Sequence, residues 1–161
     1  MDRTILEHFE AGGAKLRQAI SNLTKEDLLT KPPGDWDVGK WSIQYVVMHL
    51  ADSDGVLVDR MKRIIAEENP TLMAFDETKW AEKLDYDTQS AADAVELIDI
   101  NRRQMGVVLK NLPEAAFSRS GTHSQAGKKT LEDVVRMAVN HLDHHLKFIH
   151  AKRAKMGKEM W

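Results

Sequence analysis

Apolar residues recur at helical spacing in four long stretches of the chain, and little else in it is periodic. Residues 4–22 place Ile5, Phe9, Leu16, Ala19 and Ile20 on one face, with the Gly12 and Gly13 pair expected to weaken or bend the middle. Thr24 to Asp27 reads as a capped turn, and Pro32, Pro33 and Gly34 must break any helix. From a capping Ser42 to about Glu68, one stripe holds Val46, Val47, Leu50, Leu57, Met61 and Ile64. Asn69 and Pro70 end it. Residues 71–87 read as a connection with a short helical piece around 78–83.

The third helix is predicted over residues 88–111, through Val95, Ile98, Met105 and Leu109, and stops at Pro113. A Ser/Gly/Gln-rich stretch, 118–129, reads as the last loop. Thr130 and Asp133 then form a capping box that opens a fourth helix through Val134, Ala138, Leu142 and Ile149. No period-two strand of useful length, internal repeat or domain-splitting linker is evident. The pattern predicts an all-α fold, a four-helix bundle with short extra helical segments in the connections, formed as one domain over residues 1–161.

Composition narrows the chemistry. A chain of 161 residues, 42% hydrophobic, is long enough for a core without staples. It has no cysteine, which excludes disulfides, thiolate metal sites and cysteine nucleophiles, but it has seven histidines. Any metal must therefore be held by imidazole and carboxylate. The net charge of −2 gives no field for nucleic acid. Lys152, Arg153, Lys155 and Lys158 read as a solvated helix end whose cations complement the dipole. The start of the chain does not resemble a signal peptide, and no apolar run is long enough for a membrane, so a cytoplasmic location is expected.

Two segments concentrate candidate ligands, 41–54 and 140–149. At about 100° per residue, His141 and His145 lie roughly 40° apart at the border of the fourth helix's buried stripe, whereas His144 leans toward solvent. His49 falls about 60° beyond Val46, at the margin of the second helix's stripe. Three imidazoles from two helices would hold a divalent cation and leave a position open, as catalytic sites do. The same spacing also suits partly buried packing histidines, and the residues alone leave both readings open. His8, His123 and His150 read as ordinary partly buried histidines, and the methionines as core filler. Trp36, Trp41 and Trp80 read as packing anchors. Asp52, Asp54 and Asp143 read as solvated helix face, with Asp52, one turn from His49, as the candidate catalytic base or histidine orienter.

The blocks WSIQYVVMHLADSD, FDETKWAEKLDYD, SRSGTHSQAGKKTLEDVV and HLDHHLKFI, in this order from Trp36 to Ile149, resemble the successive signatures of the DinB/YfiT-like superfamily of metal-binding four-helix bundles. The resemblance implies an up-up-down-down-type bundle, a homodimer, and a metal, zinc or nickel foremost, on His49, His141 and His145. Phe148 departs from it, standing where members carry a polar residue, and His123 lies in a loop that could approach the metal or a substrate. Some members resemble thiol S-transferases or isomerases that use a low-molecular-weight thiol, and others carry only a metal-dependent hydrolase designation. The expectation is a metal-dependent enzyme acting on a small-molecule substrate, with a thiol, if used, imported as a cofactor. The competing expectation is a non-catalytic metal-binding or partner-binding bundle.

Overall fold

Short polar side chains start the helices. In a computed structural model describing residues 2–160, Thr24, Ser42, Asp76, Ser90 and Thr130 each accept a hydrogen bond from the backbone N–H three residues on. They open α3 (Lys25–Leu29), α4 (Ile43–Ala66), α5 (Glu77–Lys83), α6 (Ala91–Asn111) and α7 (Leu131–Lys155). Thr24 with Asp27, and Thr130 with Asp133, complete capping boxes. The third long helix starts three residues later than its pattern suggested. Thr88 is engaged in a turn, its hydroxyl donating to the Asp85 backbone carbonyl and carboxylate, and Ser90 becomes the cap.

The first helical stretch is divided at Ala11 into α1 (Thr4–Glu10) and α2 (Gly12–Ala19). The two glycines serve proximity rather than flexibility. A Cβ on Gly13 would lie 2.5 Å from the Asp99 Cα, and one on Gly12 would overlap the Arg102 guanidinium, so α2 sits directly against α6. Gly13→Ala should therefore destabilise the protein by roughly 1–3 kcal/mol, although alanine is the better helix former. Urea unfolding measures this, and a gain in stability would show that the two helices can move apart freely.

The bundle is formed by the α1/α2 pair, α4, α6 and α7, whose stripes meet in two apolar clusters. One cluster joins Leu16 and Ala19 to the first half of α4, the first half of α6 and the last half of α7. The other joins Ile5 and Phe9 to Leu57–Ile64 of α4, Met105 and Leu109 of α6, and Leu131–Val139 of α7. The pair α1/α2 and α7 thus run one way, while α4 and α6 run the other. The order is up-down-down-up, not the up-up-down-down expected from the resemblance. The connection 67–90 makes this possible by returning the chain along the length of α4, so that α6 starts beside the N-terminal half of α4.

Strands are the second correction. β1 (Thr71–Leu72), β2 (Ser120–His123) and β3 (Gly127–Thr130) form a small sheet in the order β1-β2-β3, parallel then antiparallel, in place of the expected loop. Elements of two to four residues are too short to show alternation. Their register depends on Gly121, where a Cβ would stand 2.7 Å from the Pro70 carbonyl that accepts the Thr122 N–H.

Three charged groups expected in water are buried. Arg153 donates to the carbonyls of Ala19, Ser21 and Lys158, and Lys152 donates to the Val38 carbonyl. Both tie the end of α7 to other parts of the chain; Lys158, which remains exposed, pairs with Asp27. Asp54 pairs with Arg102 at 2.7 Å inside the bundle. Asp143 does lie at the surface, beside Lys15. Among the described residues no helix is long and apolar enough to cross a membrane.

Candidate metal centre

His49 occupies the second turn of α4, and its ring points across to α7, where the i, i+4 spacing stacks His141 and His145 on one face. One ring nitrogen of each lies within 4.8 Å of the other two. His49 Nε2 stands 3.1 Å from His141 Nε2. Two nitrogens on a tetrahedral ion with bonds of about 2.0–2.1 Å would be separated by about 3.3 Å, so the pair has the spacing a shared cation requires. The ring centroids are 4.6–5.0 Å apart, and the planes are steeply inclined to each other. The donor set therefore fits a divalent ion of borderline softness.

Burial keeps these rings neutral, the form that ligates. Desolvation pushes His49 and His141 down to about 4 and His145 to about 3, with neighbouring histidines adding to each shift and Arg102 adding to that of His141. The Nδ1 atoms of His49 and His145 are buried without a hydrogen-bond partner. All three folded values lie below the ordinary 6.5. As pH falls below that value, the unfolded chain takes up protons that the folded cluster refuses. Metal-free protein should accordingly lose stability steadily from about pH 6.5 to about pH 4. Urea midpoints at pH 7.5 and pH 5 check this: the drop should shrink in a His141→Gln/His145→Gln variant, and equal midpoints in the parent would mean hydrated rings.

The other candidates fall outside the cluster. His144 is exposed, its ring against those of His145 and Phe148. His123 closes the β2–β3 turn, its Nδ1 accepting from the N–H groups of Gln125 and Ala126. Asp52 accepts the Tyr86 hydroxyl, leaving the His49 Nδ1 unpartnered. That contact and burial, the larger cause, raise the Tyr86 phenol well above its usual range. Trp41 packs its ring 5.1 Å from that of His49, and Trp80 packs on Phe75.

Glu77, which the sequence did not single out, places Oε2 3.7 Å from His49 Nε2. It stands in the first turn of α5, beside the Asp76 cap. Two depressions reach the histidines. One of about 290 Å³ is lined by Trp41, His145, Phe148 and Lys152, and a shallower one of about 640 Å³ is lined by Lys129, His141 and His144. A groove of about 620 Å³ continues along α4 past Asp52 and Arg60, but none of the three histidines lines it. Of these three, the first two are bordered by histidines of the cluster.

Residues 8–149 match the family described as the DinB superfamily. The chain belongs to the DinB superfamily. It is 32% identical over 145 residues to the "Putative metal-dependent hydrolase YfiT" of Bacillus subtilis, covering 89% of this chain and 79% of that one. A similarly named protein of Bacillus licheniformis is 32% identical over 143 residues, covering 88% and 79%. The solved structure of YfiT, described as a four-helix bundle of unusual topology, superposes with a TM-score of 0.87 at 29% identity over 96% of this chain and 86% of that one. A mycothiol-dependent maleylpyruvate isomerase shares the fold at a TM-score of 0.69 and 15% identity, over 91% of this chain and 59% of the isomerase.

Proposed function

We propose that this DinB-superfamily chain is a metal-dependent enzyme acting on a small molecule, with hydrolysis as its leading reaction. One observation carries the reading: three neutral imidazoles, His49 buried and His141 and His145 half-buried, converge from α4 and α7 at ligand spacing beside two open depressions. His49, His141 and His145 would hold the ion, for which zinc or nickel suits the nitrogen donors. When bound, the ion supplies Lewis acidity, which polarises a carbonyl and activates water or an external thiol as nucleophile.

The chain's own groups complete the site. Glu77 offers the nearest carboxylate to the cluster and is placed to receive a proton at its Oε2. Trp41 and Phe148 form apolar walls beside His145. Asp52, held by Tyr86, fixes α4 to the segment before α6 and so steadies His49 from a distance. A second reading, transfer of an external thiol, draws on the fold shared with the mycothiol-dependent isomerase. The absence of cysteine means that such a nucleophile would be imported.

The test is a panel of esters, amides and carbon electrophiles offered to untagged, metal-loaded protein with and without small thiols. Thiol-independent ester or amide cleavage, at least about tenfold above a His145→Ala control, is expected; loss of one general-base or metal contribution alone has that size or more. Turnover only with thiol present would replace hydrolysis by transfer. A fully metallated protein that turns over nothing would sink the catalytic reading in favour of a binding bundle.

A further inference from the structure

The depression beside His145 contains a second feature that metal ligation does not explain. His145, Phe148 and Lys152 follow one another along the same face of α7, at positions i, i+3 and i+7, with Trp41 and Gly39 opposite. Lys152 is 2% exposed, and among the described residues no carboxylate lies within salt-bridge distance of it. The Val38 carbonyl is its one hydrogen-bond acceptor there, although an ammonium has three donors, and the charge also lies 5.4 Å from the Phe148 ring centroid. A buried cation without a counter-ion is costly and in a folded chain calls for an anion. The lining adds charge of the same sign: Lys40 borders the space, and no acidic residue does, in a chain whose net charge is −2. Burial lowers Lys152 only to about 8, so it stays largely charged at neutral pH.

We infer that this depression is the substrate subsite and that it takes a small organic carboxylate with a flat apolar body: the body between Trp41 and Phe148, the carboxylate on Lys152, and the reacting end at His145. A volume of about 290 Å³ admits a molecule of roughly one ring and a short chain. One ammonium with a donor already committed suits a singly charged carboxylate better than a phosphate, which needs several donors. The inference deepens the proposed function and rests on it only in calling the bound anion a substrate.

Calorimetry with 3-phenylpropionate and its neutral amide tests it on the metal-loaded protein. The acid is expected to bind at least about tenfold tighter than the amide, the size of one charge-assisted hydrogen bond. Lys152→Gln, which keeps a donor toward Val38 but removes the charge, should erase that preference. Equal binding of acid and amide, no binding of either, or a preference that survives Lys152→Gln would overturn the inference. If Lys152→Gln does not fold, the acid-against-amide comparison in the parent protein and in His49→Ala together still decides. His49→Ala separates the two proposals, because His49 does not line the depression: an acid preference that persists there belongs to Lys152, and one that vanishes with the metal belongs to the ion and refutes the Lys152 assignment.

Discussion

His145→Ala is expected to reduce bound divalent metal from about one equivalent to less than about a tenth, and His49→Ala and His141→Ala should do the same, whereas His144→Ala should retain it. Coordination geometry dictates the contrast. A site with three protein ligands that loses one keeps two imidazoles, and two neutral nitrogens hold a labile ion poorly against water. His144 is adjacent to His145 in sequence but points about 100° away around α7, and its ring is exposed. Metal analysis of protein purified without a histidine tag decides the matter. Retention of metal by the His141 variant together with its loss from the His144 variant would mean that α7 presents the opposite register to α4. The result does not depend on the reaction catalysed, so it tests the centre separately from the function assigned to it.

The centre was legible in the sequence because its main determinants are local. An i, i+4 histidine pair lies on one helical face in any bundle, and Ser42, Thr130 and Asp133 locate the helix starts on which the wheel depends. His49 was legible only in part: its ring falls at the margin of the α4 stripe, yet it is 1% exposed because Trp41 covers it and α5 lies alongside. A helical wheel has one buried side, whereas a bundle helix in the structure is also covered by connections. The same limit hid the burial of Lys152 and Arg153, whose partners are carbonyls near residue 38 and at residues 19–21 rather than residues on α7. Glu77 had no signal, since an exposed acid in the first turn of a short helix is the commonest use of that residue. Helix direction was invisible for a related reason. Each stripe reads the same whichever way its helix runs, and only the joint membership of the two core clusters distinguishes up-down-down-up from the alternative.

Asp54→Ala should cost about 3–5 kcal/mol of unfolding free energy, a larger loss than Gly13→Ala should cause. Arg102 crosses the interior of the bundle, donating through Nε to Asp54 at 2.7 Å, through Nη2 to the Ala138 carbonyl at 3.0 Å and through Nη1 to the Phe9 carbonyl at 3.4 Å. It thus links α6 to α4, α7 and α1 one turn from the histidines, for Ala138 precedes His141 by three residues. Burial, the larger influence, raises the Asp54 carboxyl above its usual range, while the guanidinium pulls it back down. The carboxylate's second oxygen is buried without a partner, so the pair is imperfectly satisfied even when intact. Removing Asp54 leaves a buried guanidinium facing a void. Removing both charges with Asp54→Leu/Arg102→Met leaves apolar groups of similar size, and that double variant should return to within about 1 kcal/mol of the parent or exceed it. Urea unfolding of the single and double variants measures the difference. A single variant costing less than about 0.5 kcal/mol, as an exposed carboxylate would, means that water reaches Arg102 and that the two core clusters are separated by a hydrated layer rather than joined by an ion pair.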